Sequence, residues 1–314
     1  MGVNILRETQ RTRIILNRLL LMFVVGAAIG GCSTVRTATV NMIGDALSGG
    51  VGVYMSDNDP DLIREALPFG LKTYESLLAV SPEHRGLLLA SANGFAAYAY
   101  LLGQEADRLD GVDLAAAREK RARSKLLFLR GRDYAIRGLE TSHPNFMEGL
   151  YRERDATIAS TKMEDVAFLY WAGASWAGAL SVAKDDPELI ADLPIAGALV
   201  TRVLELDESY DNGSAHEFFI SYEGGRPGGD NEKARAHYKR AYELSAGRKA
   251  SVHVALAEAV VVSEQNLAEF RFLIAAALAV EPDEAPEIRL VNTIAKRRAE
   301  WLETQIPRLF VETN

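Results

Sequence analysis

Apolar residues recur at the spacing of an α-helix along almost the whole chain after residue 56, and no segment alternates apolar and polar residues as a β-strand does. This pattern predicts an all-α fold. The connections are mostly short, and Asp110-Gly111 and Asn212-Gly213 are interpreted as helix connections because they lie between helical segments. The predicted helices cover residues 60–80, 83–108, 113–141, 163–184, 194–207, 213–223, 230–246, 249–262, 266–280 and 285–310.

Three predicted helix starts have the same composition, a capping residue followed by proline and an acid. They are Asp59-Pro60-Asp61, Ser81-Pro82-Glu83 and Asp186-Pro187-Glu188. Proline fits the first position of a helix because its missing N–H has no partner there, and the acid interacts favourably with the helix dipole. Their recurrence indicates repeated construction.

Internal repeats are present in degenerate form. A tetratricopeptide unit packs two antiparallel helices through a small residue, an aromatic residue four positions later, a small or apolar residue three beyond it, and a proline at the turn. Any helical bundle produces some of these spacings by chance, but the matches together favour a degenerate tetratricopeptide-like helical-repeat array, an α-solenoid. The partial matches are Gly70, Tyr74, Leu77 and Pro82; Ala234, Tyr238 and Ala241; and Phe270, Ile274, Ala277 and Pro282.

The only cysteine, Cys32, follows a short apolar run, Leu19 to Ala28, that four arginines precede. This arrangement is typical of a bacterial lipoprotein signal, so residues 1–31 are predicted to be a signal peptide that is cleaved before Cys32. A thioether-linked diacylglycerol and an amide-linked third chain, commonly palmitate, would anchor the mature protein firmly. The alternative is an uncleaved transmembrane anchor, for which the run is short.

Residues 32–56 are predicted to form the lipid-anchored tether and an N-terminal packing segment, and residues 57–314 a single tetratricopeptide-like domain. Ser33 follows the lipidated cysteine. In a Gram-negative host a serine at this position predicts sorting to the outer membrane, facing the periplasm. No second long apolar segment is present, so the lipid anchor is the predicted membrane attachment.

The charge balance excludes a nucleic-acid partner. The chain has a formal net charge of −8, and removal of residues 1–31, which hold four arginines and Glu8 (net +3), leaves −11. The mature chain has no cysteine other than Cys32, so it forms no intramolecular disulfide, and its stability depends on a core that the 48% of hydrophobic residues supply.

Motifs for catalysis, metals and cofactors are absent. His216-Glu217 lacks the second histidine at residue 220 that a zinc-binding helix needs, and Gly224 to Gly229 lacks the Lys-Ser/Thr ending of a phosphate-binding loop, so it is interpreted as a mobile surface loop. Asp57, Asp59 and Asp61 resemble a calcium loop but are better explained as helix caps. The chain is therefore predicted not to be an enzyme, although a glycosidase carboxylate pair would depend on spatial geometry.

Two helices, around residues 91–100 and 170–179, combine small residues with aromatic ones. Trp171 and Trp176 are five residues apart, so they cannot share one helix face, and one is expected in the core while the other lines a cavity. The alternative is that both fill the core. Gly94, Gly173 and Gly178 lie inside these helices, where glycine is unfavourable. They are expected there because a neighbouring helix packs closely against them or because a ligand needs the space. The candidates for lining a ligand channel are Tyr98, Tyr100, Trp171, Trp176, His216 and Tyr222.

Eight blocks along the mature chain occur in a recognisable order. They are Asp59 to Phe69, Gly86 to Ala90, Gly131 to Tyr134, Tyr170 to Gly178, Asp185 to Leu189, Asp192 to Pro194, His216 to Glu223 and Ala295 to Leu302. These blocks are similar to the TatT family of tetratricopeptide-like periplasmic lipoproteins associated with TRAP (tripartite ATP-independent periplasmic) transporters. The resemblance covers essentially the whole mature chain. It implies an all-α fold and a periplasmic substrate-binding protein as the partner, and it carries over no catalytic residue.

The resemblance and the residues together predict an accessory lipoprotein of a TRAP-type transporter. It would dock the substrate-binding protein and hold or pass a small organic-acid or amphipathic ligand, and it would form a homo-oligomer through an apolar face. The alternative is a structural adaptor lipoprotein that supports cell-envelope assembly and binds no small molecule. No cofactor is expected in either case.

Overall fold

The computed structural model describes residue 37 and residues 39–311, and within these residues all regular structure is helical. The predicted signal peptide over residues 1–31 and the predicted lipidation site, Cys32, lie outside the described residues. The all-α prediction is confirmed for the part of the chain that is described.

The helices follow one another with short connections, as the sequence predicts. A π-helical segment, Ala257–Val261, continues α12. The α-helices are α1 (39–49), α2 (Val51–Met55), α3 (Pro60–Leu78), α4 (Arg85–Leu109), α5 (Leu114–Glu140), α6 (Phe146–Arg152), α7 (Arg154–Ala159), α8 (Val166–Ser181), α9 (Pro187–Leu206), α10 (Tyr210–Gly225), α11 (Asn231–Leu244), α12 (Ala250–Leu256), α13 (Leu267–Ala279), α14 (Arg289–Thr304) and α15 (Ile306–Leu309).

The structure differs from the predicted helices in three places. Helices α6 and α7 have only 7 and 6 residues, too few to show a hydrophobic period, and the sequence pattern does not reveal them. Helix α9 begins at Pro187, directly after its cap, and not at residue 194. The predicted loop at Gly224 is wrong at its start, because Gly224 belongs to α10 and packs closely on the carbonyl of Ala259.

Two of the three predicted helix starts are confirmed. The side chain of Asp59 accepts hydrogen bonds from the backbone N–H groups of Asp61 and Leu62 at the start of α3, and Asp186 does the same at the start of α9. The third is wrong: α4 begins at Arg85 with His84 as its cap, because the Ser81 hydroxyl instead donates to Asn41 Oδ1 of α1 at 2.6 Å.

Each long helix packs against the next along the chain, and a second set of contacts joins alternate helices. Helix α4 contacts α8, α8 contacts α10, α10 contacts α12, and α12 contacts α14. We call these five helices the inner row. Two hydrophobic cores lie beside this row and meet at α10, which supplies Phe219 to the first core and Ile220 to the second. Ala234, Ala241 and Ala277, small residues of the predicted repeats, are all completely buried.

The two ends of this array contact each other. Arg297 of α14 pairs with Asp61 of α3 at 2.8 Å, and Arg298 pairs with Asp107 of α4 at 2.9 Å. Arg289 also donates to the backbone carbonyl of Ser56 at 2.9 Å, just after α2. The inner row therefore returns to its starting point, and one face of it is turned towards the inside of the molecule.

Helix α4 is the one helix among the described residues that is long and apolar enough to span a membrane. Most of its apolar stretch is buried against α3, α5 and α8. Its composition is that of the central helix of a protein core.

The glycines inside the small-residue helices have a packing reason. A Cβ atom on Gly173 would lie 2.6 Å from Val200 Cγ2 and 2.8 Å from the carbonyl oxygen of Ala196, and one on Gly178 would lie 2.6 Å from the ring of Phe128. Gly94 is in similar contact with Leu71. These contacts are closer than a methyl group permits, so α8 approaches α9 and α5 only with glycine at these positions.

We predict that Gly173→Ala destabilises the protein by about 1–3 kcal/mol, although alanine is the better helix former, because the new methyl group overlaps a backbone carbonyl. The measurement is the free energy of unfolding in urea. Gly52→Ala is the matched control, since nothing lies within 4 Å of a Cβ there. An unchanged or raised stability for Gly173→Ala would contradict the close approach of α8 and α9.

Candidate functional site

Tyr100 of α4 combines solvent contact with dense surroundings. Its side chain is 47% accessible to water, but protein atoms surround it at longer range, and this burial raises the pKa of its hydroxyl to about 12. Its hydroxyl interacts with Glu258 and Arg298, so Tyr100 lies on the side of α4 at which α14 returns to the start of the inner row.

A second aromatic group lies on the neighbouring helices of the inner row. The rings of Tyr170 and Trp171 on α8 are 5.2 Å apart and edge-on, and Tyr170 is 5.4 Å from the ring of Tyr210 on α10. All three are partly buried. Burial raises the pKa of Tyr170 and of Tyr210, with the charge of Asp211 adding to the effect, so both hydroxyls stay protonated.

Glu217 of α10 connects the two groups. Burial is the main cause of the raised pKa of Tyr100 and of Tyr170, and the charge of Glu217 raises both pKa values further. The Glu217 carboxylate therefore lies within electrostatic reach of both hydroxyls. We call the surface formed by Tyr100, Tyr170, Trp171, Tyr210 and Glu217 the interior face. Its side chains come from α4, α8 and α10, three adjacent members of the inner row.

Lys249 supports the interior face from behind. Its side chain is buried, and its ammonium group donates to Glu217 Oε2 and to the Ser214 hydroxyl, both at 2.8 Å. Burial alone would lower the pKa of Lys249, but the charges of Glu217 and Asp211 raise it, so the lysine stays charged. The pair holds Glu217 in place at the edge of the aromatic group.

Helix α10 breaks where it enters the interior face. Asp211, Asn212 and Gly213 have φ values of 46°, 56° and 82°, all in the left-handed region, and each non-glycine residue there costs roughly 1–2 kcal/mol. The Ser214 hydroxyl is 2.9 Å from the carbonyl of Asp211, and Lys249 donates to the same carbonyl at 3.3 Å. Asn212-Gly213 was predicted as a connection between helices, and the backbone does leave the helical conformation there.

The far end of the interior face is charged. Arg298 of α14 pairs with Glu258 at 2.6 Å and with Asp107, and both Arg298 and Glu258 act electrostatically on the Tyr100 hydroxyl. Gln104 adjoins that hydroxyl, and its buried Nε2 forms no hydrogen bond of normal geometry with any protein atom. One nitrogen of Arg298, Nη1, is buried and unpartnered in the same way.

Two of the six residues proposed from the sequence, Tyr100 and Trp171, belong to the interior face, on the neighbouring helices α4 and α8. The other four lie elsewhere. Tyr98 is buried beneath Arg123 of α5, and Tyr222 packs on Gly197 of α9 and beside Arg226. Trp176 is a fully buried core residue.

His216, the last of the six, belongs to a histidine pair between α10 and α11. Its Nδ1 is 2.8 Å from Nδ1 of His237, and its Nε2 is 3.1 Å from Glu208 Oε1. Because the Glu208 carboxylate accepts a hydrogen bond from Nε2–H, the facing Nδ1 of neutral His216 is the acceptor and His237 is the donor. His237 also stacks on Phe219 at 5.0 Å. This pair joins two helices and does not line the interior face.

The sequence alone did not identify Tyr170, Tyr210, Lys249, Gln104 or Arg298 as site residues. Tyr170 adjoins Trp171 and was visible in the same small-residue helix. A spacing of three to four residues in α4, from Tyr100 through Gln104 to Asp107, places all three on one helix face and was a usable signal. Lys249 and Arg298 reach the site only through the long-range fold.

The described residues contain no group of three or more histidine, cysteine, aspartate or glutamate side chains placed to hold a metal ion. The polar groups of the interior face are tyrosine hydroxyls and side chains that already form ion pairs. This arrangement suits the binding of a partly apolar molecule through ring contacts and a few hydrogen bonds.

Two comparisons with known proteins bear on this chain. A family model described as TRAP transporter T-component matches residues 56–310. A protein from Treponema pallidum (strain Nichols), described as an uncharacterized protein, is 28% identical over 268 residues, which cover 83% of each chain.

We predict that the two tryptophans respond differently to replacement by leucine. Trp176→Leu removes buried ring volume and is expected to cost about 2–4 kcal/mol of unfolding free energy, whereas Trp171→Leu, on a partly accessible side chain, costs about 1 kcal/mol. Urea unfolding monitored by circular dichroism measures both. An equally large loss in both variants would show that Trp171 is a core residue.

The histidine pair makes stability depend on pH. Burial lowers the pKa of His216 and of His237, and the charge of His216 lowers that of His237 further. As the pH falls below about 6.5, the histidines of the unfolded chain bind protons before those of the folded chain, so stability decreases. His237→Phe keeps an aromatic ring against Phe219 but removes one titrating histidine. We therefore expect the variant to lose less unfolding free energy than the wild type between pH 7.5 and 5.5.

Burial also lowers the pKa of His253. Because the wild type and His237→Phe both contain His253, the difference between their losses of unfolding free energy with falling pH comes from the histidine pair. Identical slopes for the wild type and His237→Phe would show that the pair does not titrate in this range.

Proposed function

The chain belongs to the TRAP transporter T-component family, and from this premise we propose that it docks the transporter's periplasmic substrate-binding protein and holds or passes a small ligand. Membership of the family implies an accessory role in a TRAP transporter, which is not an enzyme class. Our proposal adds docking and ligand handling to this accessory role. The observation that supports ligand handling is the interior face.

The ligand that the interior face suits is an amphipathic organic acid. Tyr170, Trp171 and Tyr210 offer ring surfaces to an apolar body, and Tyr100 offers a protonated hydroxyl. Gln104 Nε2 and Arg298 Nη1 are buried donors without protein partners, and a ligand oxygen would satisfy them. The proposed orientation therefore places the polar end of the ligand near α14 and its apolar body near α8.

The proposed scaffold for this site is a degenerate tetratricopeptide-like superhelix. Contacts between alternate helices of the inner row and the burial of the small residues Ala234, Ala241 and Ala277 support it. In such an array the inner helices present one continuous face, which is where Tyr100 and Tyr170 lie. The proposal also includes a homo-oligomer, which sedimentation of the protein in detergent would test.

We further propose that Cys32 carries the lipid anchor and holds the protein on the outer membrane, facing the periplasm. The basis is the sequence pattern before Cys32 and the serine that follows it. This position would place the protein in the compartment where a substrate-binding protein diffuses.

The experiment is calorimetric titration of the purified protein with the substrate-binding protein whose gene neighbours its own, with and without candidate organic acids. We expect association with a Kd of micromolar or tighter, roughly −8 kcal/mol, and a Kd that changes when the acid is present. Absence of association in every condition would favour the structural adaptor that handles no small molecule.

A pair of variants tests the interior face itself. Gln104→Leu keeps the volume of the side chain and removes an Nε2 that has no protein partner, so it should fold normally and weaken binding of the acid by roughly tenfold. Tyr98→Phe, on the same helix but beneath Arg123, is the matched control and should leave binding unchanged. Equal effects of both variants would contradict the proposed site.

A further inference from the structure

Helix α1 (39–49) packs on the protein with its polar and small side. Asn41 Oδ1 accepts from the Ser81 hydroxyl at 2.6 Å, and the backbone carbonyl of Asn41 is 3.1 Å from His84 Nε2. Gly44 is buried against His84, where a Cβ would approach Nε2 to 2.6 Å. These residues, spaced three apart, define the inward side of α1.

The outward side of α1 is apolar. The side chains of Met42, Ile43 and Leu47 are 68%, 41% and 38% exposed, and Ala46 between them is also exposed. Residues i, i+1, i+4 and i+5 form one continuous stripe on a helix. The orientation is the reverse of that of an ordinary surface helix, which turns its apolar stripe towards the core.

The close contacts fix this orientation. A rotation of α1 that buried Met42 and Leu47 would place side chains larger than glycine against His84, where even a Cβ would overlap. It would also separate Asn41 from Ser81. The apolar stripe is therefore held outward by the contacts beneath it and calls for a covering surface.

The chain N-terminal to α1 indicates what covers the stripe. Only six residues, 33–38, separate Cys32 from the start of α1, and at no more than about 3.6 Å per residue they keep Met42 within roughly 30 Å of a lipid attached to Cys32. Helix α1 contains no lysine or arginine, and its one charged residue, Asp45, is acidic and largely exposed. With Arg36 in the connecting segment, residues 33–49 have no net charge, which suits a zwitterionic lipid surface.

We propose that α1 lies on the membrane, with Met42, Ile43 and Leu47 inserted into the interface of the bilayer that holds the lipid anchor. The inference rests on the proposed lipidation of Cys32. Lipid chains and an apolar helix together give two membrane contacts, and two contacts fix the orientation of the body where a flexible tether alone would not. The remaining surface of the array would then be presented to the periplasm in one orientation.

The test places a fluorescent label on α1 in the full-length lipidated protein. Cys32 is the only cysteine, and its thiol is blocked once lipidated, so Leu47→Cys provides a single labelling site. The protein is reconstituted in vesicles of zwitterionic phospholipid that carry a quencher on their acyl chains. Phe272→Cys, at a side chain that is 69% exposed on α13, is the matched control.

We expect the label at residue 47 to be quenched roughly twofold or more above the label at residue 272. Equal, weak quenching at both positions, with intact mass proving that Cys32 is lipidated, would overturn the proposal and leave the anchor intact. Protection of residue 47 from aqueous iodide without quenching by lipid would mean that a protein, such as a second copy of this chain, covers α1. An unmodified Cys32 thiol in the intact mass would overturn the anchor and this inference together.

Discussion

The ion pairs of Arg298 hold the two ends of the helical array together, and the interior face depends on that closure. In an open array each helix contacts only its neighbours, so the inner row would face solvent. Arg298 instead joins α14 to Asp107 of α4 and to Glu258 after α12, in a largely buried position where an unpaired charge would be strongly unfavourable. Because a slipped arrangement would leave this guanidinium without its carboxylate partners, the pairing favours the closed arrangement.

The break in α10 is the second constraint, and it is local. Three consecutive left-handed residues are unfavourable by themselves, and the surrounding structure stabilises them through Ser214 and the buried ammonium of Lys249. Tyr210, just before the break, contacts Tyr170, and the charge of Glu217, just after it, acts on the Tyr100 hydroxyl. The strain and the site therefore coincide at one position in the chain.

The sequence predicts the helices well because each long helix carries its own hydrophobic period and, at Asp59 and Asp186, its own cap. It fails for α6 and α7, which are too short to have a period, and at Ser81, whose hydroxyl bonds to α1 instead of capping α4. Helix geometry alone separated Trp171 from Trp176. The sequence did not identify Arg298 or Lys249, because both are far from Tyr100 along the chain. Only the packing of the inner row brings them near the interior face.

The electrostatics of the interior face bear on how an organic acid would bind under the proposed function. The cations within reach, Lys249 and Arg298, are already paired with Glu217 and with Glu258 and Asp107. An anionic ligand would have to compete with these carboxylates, whereas the Tyr100 hydroxyl, with a pKa raised to about 12, stays a neutral donor throughout the physiological range. Ring contacts would then supply most of the affinity and the charged end little of it. Such a site would release its ligand readily, as the proposed transfer to a partner requires.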